Sequence, residues 1–153
     1  KGSMLEGGSR VPLIVNWPGI TPAGKVSKDL IDISDFYSTF ADLAGAKLPN
    51  GVTLDSHSFA AQIKGEKGIP RNWIYVELIG KSYVRNARYK LTNDGDLFDL
   101  IEAPFKEIAI GKNTTDAAAI AAREELQKVL DQHLATPALE EVKKGKLKQN
   151  NED

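Results

Sequence analysis

Residues 82–100 read SYVRNARYKLTNDGDLFDL. Aromatic, β-branched and charged residues interleave here with the two-residue period of a pleated strand. Tyr83, Arg85, Ala87 and Tyr89 share one parity, and Val84, Asn86, Arg88 and Lys90 the other. Asn93-Asp94-Gly95 is a hairpin-turn signal, followed by a second short run at residues 97–100. The stretch therefore predicts paired short strands in a small antiparallel sheet.

The flanking sequence extends this unit. Upstream, RNWIYVELIG at residues 71–80 is rich in aromatic and β-branched residues and predicts a strand around 73–78. Downstream, residues 113–136 predict the longest helix. Thr114, Thr115 and Asp116 offer caps, Ala119, Ala122, Leu126, Val129, Leu130 and His133 mark one face, and Thr136-Pro137 stops it. Residues 58–66 (SFAAQIKGE) predict a short helix ending near Gly65. Ile33, Phe36, Phe40, Leu43 and Ala44 line one face of a further helix, with Ser34 and Asp35 as N-caps and Gly45 as terminator. VPLIVNW at residues 11–17 is apolar on both parities and predicts a buried strand that stops at the Pro18-Gly19 turn. This order of elements predicts an α+β fold, in which a strand and helix precede a small antiparallel sheet packed against a long C-terminal helix. Three segments follow: residues 1–50, residues 51–136, and a charged tail at 137–153.

Composition sets limits on function. The 153 residues carry 41% apolar and 27% charged side chains and a net charge of −1. Bulk electrostatics favour neither nucleic acid nor an anionic membrane, and no apolar run approaches the roughly 20 residues needed to span a bilayer. The sequence has no cysteine, so thiolate chemistry, disulfides and Cys-ligated zinc are excluded from it. His57 and His133 lie too far apart in sequence to form a metal-ligand motif by themselves. No metal site is expected.

Taken residue by residue, few groups point to chemistry. Glu6-Gly7-Gly8 reads as a tight turn flanked by Lys1 and Arg10, two cations that either face an anion or are simply solvated. His57 in LDSHSF is of the residue type used for acid–base work near neutral pH, but it also suits a solvent-facing loop. Arg85, Arg88 and Lys90 form a basic group on a strand pair, either lining a site for an anionic substrate or forming a solvated sheet face. Asp94 and Asp96 resemble the start of a calcium loop, but the closing glutamate is missing and a hairpin turn accounts for them.

Four ordered motifs carry a resemblance. KGSMLEGGSRVPLIVNWPG resembles the type I sulfatase segment K-G-[ST]-x-x-E-G-G-x-R-V-P-x-I-x-x-W-P-G. DISDFYSTFADLAG is similar to that family's D-x-x-P-T-x-x-x-L-A-G helix. LDSHSFAAQIKGEKGIPRNWIYVE is similar to D-G-x-S-x-x-x-x-L-x-G followed by an Arg and a strand. YVRNARYKLTNDGDLFDL is similar to V-R-x-x-x-Y-K-L followed by L-[FY]-D-L. The wording is closest to the arylsulfatase A-like branch common in environmental bacteria, within the alkaline phosphatase superfamily. The chain departs from the pattern at Ser38 (often Pro), at Ser56 (usually Gly) and after Leu100, where IEAPFKEIAI replaces D-P-x-E-x-x-N-L.

The resemblance implies the C-terminal portion of a calcium-dependent, formylglycine-using hydrolase of sulfate esters, periplasmic or secreted. Residues 1–50 would then be the last strand and helix of the sulfatase core. The C/S-x-P-x-R nucleophile motif and the calcium ligands would lie upstream, in an N-terminal catalytic domain that is the chain's partner, and this piece alone would be inactive. Lys1 matches the family lysine that touches a sulfate oxygen, and His57, Arg85 and Arg88 are candidates for contact with a sulfated small molecule or glycan. Two alternatives remain open: a phosphate or phosphonate ester hydrolase of the same superfamily, and a non-catalytic α+β module binding an anionic glycan or a partner. Without its partner, the strand at 11–17 would leave an open edge and an apolar helix face, so the isolated piece is expected to self-associate.

Overall fold

Between Ile74 and Ile110 the backbone turns back on itself four times. The computed structural model, which describes residues 2–135, resolves β1 (Ile74–Leu78), β2 (Lys81–Arg85), β3 (Tyr89–Thr92), β4 (Leu97–Asp99) and β5 (Ile108–Ile110). Each strand pairs antiparallel with the next, in the spatial order β1-β2-β3-β4-β5. The expected turn at Asn93-Asp94-Gly95 closes the β3–β4 hairpin, where the Gly95 N–H donates to the Thr92 carbonyl at 2.9 Å and the Thr92 N–H to that of Asp96 at 3.0 Å. β5 was not expected from the sequence, because its three residues (IAI) are too few for periodicity to register.

The register corrects the parity read from residues 82–100. Alternation does not run unbroken from Tyr83 to Lys90, because β2 ends at Arg85 and three residues turn the chain before β3. The Asn86 side-chain oxygen holds this turn, accepting from the Arg88 and Tyr89 N–H groups at 2.9 and 2.7 Å. Four residues separate the paired positions Arg85 and Lys90, and an even number between paired positions switches which parity faces a given side. Arg85 lies opposite Lys90, and Lys90 opposite Phe98, on one face of the sheet, whereas Val84, Leu91 and Leu97 share the other.

The second face carries the core. The expected long helix is α4 (Ala117–Ala135), started by the Asp116 carboxylate, which accepts the Ala118 N–H at 2.9 Å. Ala119, Ala122, Leu126, Val129 and Leu130 of α4 bury against Val84, Tyr89, Leu91 and Leu97. His133, on the same helical face, is half-buried; its ring stacks on Tyr75 at 4.3 Å and meets Trp73 edge-on at 5.3 Å. The expected stop at Thr136-Pro137, the charged tail at 137–153 and Lys1 lie outside the described residues.

Before the sheet come α1 (Glu6–Ser9), α2 (Asp35–Leu43) and α3 (Ala60–Ile63). α2 ends where expected: the Ala46 N–H reaches the Ala41 carbonyl at 2.8 Å and the Gly45 N–H reaches that of Asp42 at 3.1 Å, the paired bonds of a Schellman cap. Its burial is the reverse of an ordinary amphipathic helix. Asp35, Ser38 and Thr39 are buried, while Phe40 is 60% exposed.

Residues 11–17 form no strand among the described residues, which corrects the expected one. A strand exists through ladder hydrogen bonds to a neighbour, and no described segment supplies them. The stretch runs along the apolar face of α2, and Leu13, Val15 and Trp17 line an open groove of about 580 Å³ with Phe36, Phe40 and Phe59.

Candidate functional site

The Glu6-Gly7-Gly8 stretch is the single helical turn α1, and Gly8 is the residue it cannot replace. A Cβ there would stand 1.9 Å from the Ser3 carbonyl oxygen, whereas one on Gly7 would meet nothing within 4 Å. The turn sits on the sheet face opposite the α4 core, and four charged side chains hold it there. The Arg85 guanidinium pairs with the Glu6 carboxylate. The Lys90 ammonium pairs with Glu107, just ahead of β5, and also donates to the Met4 carbonyl at 3.1 Å. Glu107 uses its other oxygen to accept the Glu6 backbone N–H at 2.7 Å. The Ser9 hydroxyl bonds the Tyr83 hydroxyl, which tethers the far end of the turn.

The two carboxylates balance the two cations, and the group is almost dry. Side-chain exposure is 1% for Glu6, 13% for Arg85, 2% for Lys90 and 8% for Glu107. The Lys90 ammonium also stands 5.2 and 5.0 Å from the ring centres of Tyr83 and Phe98, within cation–π range. Burial pushes the Tyr83 hydroxyl above its ordinary value, and the charges of Glu6 and Glu107 act in the same direction, outweighing the Ser9 bond and Arg85. The phenol therefore stays protonated at neutral pH.

A second buried pair ties α2 to the chain ahead of β1. Arg71 Nε donates to both Asp35 carboxylate oxygens at 2.9 and 2.8 Å, and Arg71 Nη2 lies 2.7 Å from Oδ1. Asp35 also accepts the Asp32 and His57 backbone N–H groups at 2.8 and 2.7 Å. Burial pushes the Asp35 carboxyl up, but the Arg71 bonds, the two amides and the guanidinium charge outweigh it and hold the group below the usual carboxylate value.

The residues singled out from the sequence lie apart. Arg85 is committed to Glu6. Arg88, on the exposed side of the β2–β3 turn, forks onto Asp99 at 2.8–3.3 Å. His57 has an exposed side chain on the loop whose backbone bonds Asp35. Arg10 is exposed, and its N–H closes α1 by donating to the Glu6 carbonyl at 2.8 Å. Sequence reasoning placed Lys90 in a basic group but missed its acidic partner, Glu107. Glu107 lies 17 residues away in a stretch without periodic pattern, so no local signal links the two. Among the described residues, no group of three or more His, Asp or Glu side chains converges as a metal site.

Comparison with known proteins gives the family. Residues 1–136 match the family model described as N-sulphoglucosamine sulphohydrolase, C-terminal. The chain belongs to this sulfatase family. It is 38% identical over 91 residues to a sulfatase of Formosa agariphila, across 56% of this chain and 16% of that protein. It is 36% identical over 96 residues to arylsulfatase A of Bos taurus, across 59% of this chain and 18% of that protein. The chain thus spans less than a fifth of the length of these two relatives. A solved 2-O GAG sulfatase aligns with a TM-score of 0.49 and 24% identity, over 65% of this chain and 24% of that one. At the family level the sulfatase relatives are hydrolases of sulfuric esters, and the family match assigns residues 1–136 of this α+β chain to a sulfatase C-terminal region.

Proposed function

We propose that this chain is the C-terminal part of a calcium-dependent, formylglycine-using sulfatase that releases sulfate from a sulfated small molecule or glycan, and that the 153-residue chain has no turnover alone. The family match across residues 1–136 carries this reading, because it includes KGSMLEGGSRVP at the head of the chain. Lys1 is the group assigned to a sulfuryl oxygen. As the S–O bond breaks, negative charge grows on the sulfuryl and leaving-group oxygens, and a fixed ammonium lowers that barrier.

The residues present do not fit a calcium site, since the described residues gather no cluster of ligands. The sequence also holds no cysteine and no C/S-x-P-x-R motif. The nucleophile and the metal ligands are therefore assigned to polypeptide outside this chain. Arg85 and Arg88 already neutralise Glu6 and Asp99, so His57 is the more available candidate for a wall of the cleft. The exposed apolar surface at residues 11–17 and on α2 is assigned to contact with the rest of the sulfatase. We place the whole protein in the periplasm or outside the cell; no helix among the described residues is long and apolar enough to cross a membrane.

The test compares this chain with the polypeptide of its whole reading frame on an aryl sulfate and an aryl phosphate. The longer protein is expected to turn over the sulfate and this chain neither ester. Lys1→Ala in the longer protein should lower turnover by about 100-fold or more. Preferential hydrolysis of the phosphate, or near-normal turnover by Lys1→Ala, would overturn the reading.

A further inference from the structure

We propose that Arg85, Lys90 and Glu107 are positioning residues for the sulfatase reaction: they clamp the Glu6 turn so that the chain leading to Lys1 starts from a fixed point. This inference rests on the reading of Lys1 as the sulfate contact.

The argument begins with reach. Lys1 is three residues from Met4, so its Cα lies within roughly 10–11 Å of the Met4 Cα in any conformation. The Met4 carbonyl accepts from the Lys90 ammonium, and the Glu6 N–H donates to Glu107. Both backbone anchors of this segment thus belong to one ion pair, and the Arg85–Glu6 pair adds a side-chain anchor beside them. A group that stabilises developing charge must be held to within about 0.5 Å of its working position, because a displacement near 1 Å can cost about 100-fold in rate.

The clamp is separate from what holds the fold. Val84, Leu91 and Leu97 pack on α4 from the other face of the sheet, so the hydrophobic core does not depend on these charges. Four nearly dry charges are also a costly way to gain stability, since desolvation offsets most of their attraction and apolar residues of similar volume often do as well. They do supply direction: Glu107 accepts one specific N–H, and the ammonium reaches one specific carbonyl. The second half of the sheet thereby registers the segment that carries the catalytic lysine.

The test is a double-mutant cycle in the full-length sulfatase. Lys90→Met should lower kcat by about 10- to 100-fold, with KM changed by less than about threefold. In a Lys1→Ala background the same substitution should change kcat by less than about threefold, because the group it positions is gone. Arg85→Lys keeps the charge but loses the planar guanidinium that reaches Glu6 and the Asn86 carbonyl together; it should show a smaller loss with the same dependence on Lys1, and it remains testable if Lys90→Met does not fold. Equal losses in both backgrounds, or unchanged kcat in a folded variant, would overturn the inference. Near-normal turnover by Lys1→Ala alone would instead overturn the assignment of Lys1, which separates the two failures.

Discussion

The Asp35 carboxylate and the Arg71 guanidinium, 36 residues apart, meet in a buried pair with N–O distances of 2.7–2.9 Å. Arg71 also forms an isolated antiparallel bridge with Leu30 and donates to the Asp55 carbonyl. The pair therefore joins α2, the loop before α3 and the entry to the sheet. Arg71→Met leaves the Asp35 charge buried and uncompensated, and should cost about 3–5 kcal/mol in urea unfolding. The pH dependence follows from the sign of the shift. The folded pKa of Asp35 lies below its ordinary 3.8, so its contribution is fully present above the unfolded value and is lost as pH falls below about 3.8 through the folded value. Stability that stayed flat from pH 5 down to pH 2 would refute this.

Gly7 and Gly8 should respond in opposite ways. The Ser3 carbonyl leaves no room for a side chain on Gly8, while space is open around Gly7. Gly8→Ala is expected to destabilise by about 1–3 kcal/mol, as overpacked sites do. Gly7→Ala should change stability by less than about 0.5 kcal/mol, as an open surface site does. Thermal melts of the two variants side by side give the comparison, and equal melts would mean that the Ser3 contact does not constrain the turn.

The β1–β2 hairpin carries strain on a residue unsuited to it. Ile79 and Gly80 connect the strands, and both have positive φ, 50° and 74°. Two central residues of that kind make a type I′ turn, in which Asn-Gly is the favoured pair. Ile79 is β-branched and 95% exposed, so its side chain gains little from packing to offset the strained backbone. Ile79→Asn should raise stability by about 1 kcal/mol. A lower midpoint in a thermal melt would contradict this.

These cases show what the sequence makes legible. α2, α4 and the β3–β4 hairpin could be read because each carries its own local pattern: an apolar stripe ended by Gly45 in α2, one capped by Asp116 in α4, and an Asn-Asp-Gly turn; the N-caps expected of Ser34 and Asp35 form no side-chain cap bond at the start of α2. The face on which Lys90 sits could not be read, because it depends on how many residues form the β2–β3 turn, and Asn86 decides that through two side-chain hydrogen bonds. The charged clamp escaped for a related reason. Glu6 is 79 residues from Arg85, and Glu107 is 17 from Lys90, so each pair is created by the fold rather than by spacing. Arg85 looked available to a substrate only because its buried partner is so far away in sequence.

The burial of α2 leads to the last prediction. This helix turns Asp35, Ser38 and Thr39 inward and leaves Phe40 60% exposed. Beside it, Ile14 is 87% exposed, and Val11, Leu13, Val15 and Trp17 are each 38–55% exposed. A contiguous apolar surface of this kind associates with whatever apolar surface it meets. If the rest of the sulfatase is its natural cover, the 153-residue chain alone has only other copies of itself. Sedimentation velocity on the isolated chain should therefore show a weight-average mass that rises with concentration. Phe40→Ser combined with Ile14→Ser should reduce that rise without unfolding the sheet, since neither residue belongs to the core under α4. A strictly monomeric boundary at the highest attainable concentration would show that this face needs no partner.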